Sequence, residues 1–151
     1  MVDDITTPDE SSLQVTVTLD GGSECIGVAR HLAVDFMDRA RTEHRLLVSR
    51  RAVDLAQLVV SELVTNACKY APGPATMDLR IADGMLEVVV QDSLPALPAA
   101  RAADAGRVGQ HGLEIVMAVV RHFEVQPAPD GKRIIARLAL ADEPEGAGVE
   151  Q

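Results

Sequence analysis

Ser61-Glu62-Leu63-Val64-Thr65-Asn66-Ala67-Cys68-Lys69-Tyr70 sets three polar, chemically capable side chains into an otherwise apolar run. At about 100° per residue, Glu62, Asn66 and Lys69 share one narrow helical face, because neighbours three and four apart stack. Val53, Ala56, Val60, Leu63, Val64 and Ala67 cover the opposite side, while Leu55, Leu58 and Val59 lie on the polar side a turn or more earlier. A helix that is apolar nearly all round is covered on most sides by its fold. A carboxylate, a carboxamide and an ammonium grouped there need partners, since unpaired burial is costly. The same spacing also serves a plain surface stripe with a helical ion pair worth roughly 0.2–0.5 kcal/mol, so this stretch alone leaves both readings open.

Working outward, Pro72-Gly73-Pro74 stops this helix by Ala71, and its start falls near Val48–Ala52. Upstream, Ile26, Ala29, Ala33, Phe36, Met37 and Ala40 recur at helical spacing after Gly21-Gly22 and a capping Ser23, predicting a helix that runs to about Arg41. Before it, Leu13, Val15, Val17 and Leu19 alternate with polar residues as in a strand. Downstream, Met77, Leu79, Ile81 and then Leu86, Val88, Val90 have period two, and Asp83-Gly84 between them marks a hairpin. Little regular pattern runs from Gln91 to Gly112, and a loop of that size is usually functional or mobile. Leu113, Val116, Met117, Val119 and Val120 predict a third helix ending near His122. Phe123 and Val125 begin another strand, Asp130-Gly131 reads as a second hairpin turn, and Ile134 to Leu140 as the last strand.

This order does not alternate strands with helices regularly, which disfavours a doubly wound fold. The expectation is an α+β chain: a two-layer α/β sandwich whose mixed, mostly antiparallel sheet of about five strands carries three main helices on one face. Residues 1–11 read as a flexible tail, 12–140 as one domain, and 141–151 as a disordered acidic tail.

The 151 residues suit a single domain with a sizeable core. That core is aliphatic, because apolar residues make up 47% of the chain and aromatics only 2%. A formal charge of −9 disfavours direct nucleic-acid binding, which relies on neutralising phosphates. Cys25 and Cys68 are far apart in sequence and form no CxxC, so neither a disulfide scaffold nor a zinc site is expected. No apolar stretch approaches 18 residues and Met1-Val2-Asp3-Asp4 is acidic, so no membrane span or signal peptide is expected and the cytoplasm is the default location.

Two further segments bear on chemistry. Val90-Gln91-Asp92 ends a buried-looking strand, and Asp92 can accept hydrogen bonds from an exocyclic amine or cap a turn. Gly106-Arg107-Val108-Gly109-Gln110-His111-Gly112 precedes the third helix, where glycines free the backbone to approach an anion. It is not a Walker A loop, since Gly-Lys-Ser/Thr is absent. A magnesium nucleotide would supply partners to the carboxylate, carboxamide and ammonium of the helix.

In this order, a helix carrying Glu-x-x-x-Asn-Ala-x-Lys-Tyr, a strand ending in Asp and a Gly-rich loop opening a helix, the chain resembles the ATP-binding domain of histidine kinases, Hsp90-type chaperones, gyrase-type topoisomerases and MutL-like repair proteins. The resemblance to this GHKL, or Bergerat, fold covers about residues 13–140. A free-standing domain of this size most resembles the anti-sigma-factor serine kinases of bacterial partner switching. The resemblance implies ATP and Mg²⁺ as cofactors, Asn66 as the metal ligand and Glu62 as the catalytic base. It places Lys69 near phosphates and Tyr70 near the nucleotide, gives Asp92 the adenine amine, and puts Gly109 and Gly112 at the phosphates beneath a lid at 93–108; His111 between them reads either as a further phosphate contact or as an exposed loop histidine. It also implies a sigma factor and an anti-anti-sigma (STAS-type) protein as partners, and a homodimer as one expected assembly. Asp92-Ser93-Leu94-Pro95 lacks the glycines of a full first glycine box, and Gln110-His111 departs from the second. The alternative that these departures carry is a nucleotide-gated interaction module with little or no kinase activity.

Overall fold

Alternation of apolar and polar residues makes strand β1, Leu13–Leu19. It is followed by helices α1, Cys25–Glu43, and α2, Arg50–Tyr70. Strands β2, Ala75–Ala82, and β3, Met85–Gln91, come next. A helix α3 covers 113–119, and strands β4, His122–Ala128, and β5, Gly131–Ala139, close the order. A computed structural model describes residues 13–20, 24–70, 74–92, 113–128 and 131–141, the side chains of 69 and 70 excepted.

The strands form one sheet in the order β1-β2-β3-β5-β4, and all four pairings are antiparallel. Met77, Leu79 and Ile81 of β2, Leu86, Val88 and Val90 of β3, and Ile134, Ala136 and Leu138 of β5 are buried on one face. Against them lie Ala33, Phe36, Met37 and Ala40 of α1, Val60, Leu63, Val64 and Ala67 of α2, and Val116 of α3. This is the two-layer α+β sandwich expected from the element order. The opposite face is polar: Asp78 accepts from Gln14 Nε2 at 2.9 Å and Thr16 Oγ1 at 2.6 Å, and Glu87 sits between Arg80 and Arg137.

Local chemistry fixes the element ends. Ser49 Oγ caps α2 by accepting from the Ala52 N–H at 3.0 Å, and the Ser49 N–H donates to the Leu140 carbonyl at 2.8 Å. Helix α1 runs past Arg41 to Glu43, and beyond it Arg45 takes a left-handed φ of 57°. Asp83 and Gly84 both have positive φ, 55° and 75°, as a tight two-residue hairpin turn requires.

Three expectations are corrected. Helix α3 ends at residue 119 rather than near His122, because the Arg121 N–H donates to the Arg137 carbonyl at 2.8 Å and draws the chain into the sheet. The second hairpin forms as expected between β4 and β5, but Gly131 belongs to its second strand, paired with Ala128. Val59, assigned to the polar side of α2, is fully buried, because that flank also faces the interior. The tail at 1–11, the lid at 93–108 and all but the first residue of the tail at 141–151 lie outside the described residues.

Candidate functional site

The sheet register gathers the relevant ends. Gln91 pairs with Thr76 on one side and Arg133 on the other, so the end of β3 lies beside the starts of β2 and β5. Helix α2 delivers the chain to the start of β2, which brings its C-terminal turns to the same end of the sheet as Asp92. The Asp83-Gly84 turn, Ser49 and Leu140 mark the other end, where the Leu140 N–H donates to the Gly84 carbonyl at 3.0 Å.

On α2, Leu63, Val64 and Ala67 anchor the helix in the core, and this fixes where the residues between them point. Glu62 is half-buried. Asn66 is 7% exposed, and its carboxamide has no hydrogen-bond partner among the described residues. Leaving such a group buried and unpaired costs about 1–3 kcal/mol. A helix that otherwise follows the apolar rule has no structural use for that cost, and a ligand that supplies the missing bonds accounts for it.

Asp92 is the second buried polar residue, 4% exposed, directly after β3. Its Oδ1 accepts from the Lys132 backbone N–H at 3.1 Å, and its Oδ2 lies 2.9 Å from Lys132 Nζ. The Asp92 N–H donates in turn to the Lys132 carbonyl at 3.0 Å. Gly131 allows this approach, since a Cβ there would lie 2.4 Å from the Asp92 carbonyl oxygen and 2.6 Å from Oδ1. Lys132 and Gly131 escaped the sequence reading because Asp130-Gly131 carries an ordinary turn signal, and no local pattern tells a lysine at a strand start what it faces.

Cys68 packs against the core beside Cys25, the first residue of α1. Burial, reinforced by a hydrogen bond to Cys25, pushes its thiol up to about 12. The pair is thus adjacent in space though distant in sequence, and both thiols are free. Lys69 and Tyr70 form the last residues of α2, and their side chains lie outside the described residues, as do Gly109, His111 and Gly112.

Among the described residues no group of three or more His, Cys, Asp or Glu side chains converges to hold a metal. A cation at Asn66 would therefore take one side-chain oxygen and complete its shell with phosphates and water, which is how Mg²⁺ is commonly held. A cavity of about 320 Å³ lined by Ser49, Arg51, Leu55 and Arg121 lies at the far end of α2 and includes none of Glu62, Asn66, Asp92 or Lys132. No described helix is long and apolar enough to cross a membrane.

A family model described as Histidine kinase-like ATPase domain matches residues 26–138. That span runs from α1 through β5 and so includes Glu62, Asn66 and Asp92. No curated protein matches the chain.

Proposed function

Because this chain belongs to the family of histidine kinase-like ATPase domains, which bind ATP, we propose that it is an ATP-dependent serine/threonine protein kinase that phosphorylates an anti-anti-sigma (STAS-type) partner and sequesters a sigma factor in the cytoplasm. The observation that carries the proposal is the buried carboxamide of Asn66, which has no hydrogen-bond partner among the described residues. Its oxygen would ligate Mg²⁺, which would supply positive charge to offset that of the ATP phosphates. The half-buried Glu62, one turn earlier, would orient the partner's serine hydroxyl and take its proton. The serine Oγ forms the new bond to the γ-phosphorus, the bond to the bridging oxygen breaks, and ADP leaves with that oxygen. Catalysis of this kind rests on positioning and charge neutralisation rather than on covalent chemistry by the protein. The net charge of −9 suits a basic region of a sigma factor.

The test is transfer of labelled phosphate from ATP to a serine of a STAS-type partner. Transfer is expected with the wild type and lost in Glu62→Ala and Asn66→Ala. Transfer at the normal rate in both variants removes the assigned roles. A second reading, a nucleotide-gated interaction module with little or no kinase activity, draws on Asp92 being held by Lys132. It gives partner binding that depends on ATP and survives Glu62→Gln.

A further inference from the structure

We propose that Lys132 governs how strongly this chain selects a nucleobase bearing an exocyclic amine, by competing with that amine for Asp92. The inference rests on the reading that the base of ATP docks at Asp92. The carboxylate is almost inaccessible, its side chain 3% exposed, whereas the Lys132 side chain is 28% exposed. Whatever approaches Asp92 therefore meets an ammonium already 2.9 Å from Oδ2.

A carboxylate has about four acceptor positions, of which the Lys132 N–H and ammonium contacts take two. The competition is one of strength. A charge-assisted N⁺–H···O⁻ bond is roughly twice as strong as a neutral one, and the ammonium neutralises the charge that would attract a base amine. The Lys132 backbone does not compete in this way. Its N–H bond to Oδ1 at 3.1 Å and the carbonyl that receives the Asp92 N–H hold the carboxylate in place whatever side chain follows Gly131. The backbone thus positions Asp92, and the side chain sets how much acceptor strength remains. Gly131 is the device that allows both, because a Cβ at that position would push β5 away from Asp92.

The test compares ATP with purine riboside triphosphate, which lacks the exocyclic amine, by calorimetric titration of the full chain. In Lys132→Met the ATP dissociation constant falls about tenfold, the size of one hydrogen bond to a charged acceptor, while that of the amine-free analogue stays within about twofold. Lys132→Gln, which keeps a hydrogen bond to Asp92 without the charge, shifts the ratio in the same direction and serves should the methionine variant not fold. Lys132→Arg restores the wild-type ratio. Equal shifts for both nucleotides, or weaker ATP binding in the neutral variants, overturn the competition while leaving nucleotide binding intact. Folded wild type and variants that take up neither nucleotide overturn the reading of the site, and this inference with it.

Discussion

Replacing Gly131 by alanine tests how tightly the corner around Asp92 is built. The new Cβ would stand 2.4 Å from the Asp92 carbonyl oxygen and 2.6 Å from Oδ1. Ordinary carbon–oxygen contacts begin at about 3.3 Å, so β5 must retreat by roughly an ångström. Such a shift carries the Lys132 N–H···Oδ1 bond from 3.1 Å and the Asp92 N–H···O bond from 3.0 Å beyond hydrogen-bonding range. Weakening a bond to a buried carboxylate costs about 1.5–3 kcal/mol, and overpacking about 1–3 kcal/mol. Because these effects share one displacement they do not add fully, and a loss of about 3 kcal/mol is expected. For a chain of this size that lowers Tm by roughly 6–12 °C. Gly84→Ala is the internal control: its φ is 75° and a Cβ there meets nothing within 4 Å. Only the left-handed backbone penalises alanine at that turn, by about 1–2 kcal/mol. Urea unfolding and thermal melts of both variants read the difference. A Gly131→Ala protein as stable as the wild type, or no less stable than Gly84→Ala, refutes the close-approach argument.

Other outcomes are equally specific. Asn66→Leu should raise stability in the absence of nucleotide by about 1 kcal/mol, since it removes a buried amide that has no partner among the described residues and improves helix propensity, while abolishing Mg-ATP uptake; urea unfolding and calorimetry check the two halves. Leu63→Ala, at a fully buried position, should cost about 2–5 kcal/mol in urea unfolding. Arg45→Gly should stabilise by roughly 0.5–1 kcal/mol, because Arg45 holds a φ of 57° just past α1, and a rise in Tm checks it. Cys68 should resist alkylation at pH 8 until the protein is unfolded, as its thiol is pushed up from 9.0 to about 12. With the folded value raised, the stability held by the protonated thiol is complete below pH 9 and lost as pH rises toward 12, which alkaline melts of wild type against Cys68→Ala will show.

The fold was legible because its signals are local and periodic. Alternation in β1, β2 and β3 and the Asp83-Gly84 turn state both the strands and their partner, and the 3.6-residue repeat states α1 and α2. Misreadings arose where tertiary bonds override local pattern. Apolar periodicity continues to Val120, yet α3 stops at 119 because the Arg121 N–H is claimed by Arg137. Gly131 reads as a turn residue, but its need for a bare backbone comes from Asp92, distant in sequence. Of the site, Glu62, Asn66 and Asp92 stood out as polar residues in apolar surroundings, and the structure buries the last two. Lys132 had no such signature, since only the β3–β5 register brings it to Asp92.

Asn66 on the C-terminal turns of α2 and Asp92 after β3 lie at the same end of the sheet, and the proposed function requires them to serve one nucleotide. A crystal of the wild-type chain soaked with Mg²⁺ and a non-hydrolysable ATP analogue tests it most directly. The expected density puts a metal ion about 2.0–2.1 Å from the Asn66 carboxamide oxygen, phosphates against that end of α2, and the base amine on Asp92. A nucleotide seated elsewhere, or Asn66 and Asp92 untouched in a crystal that has bound it, contradicts the account.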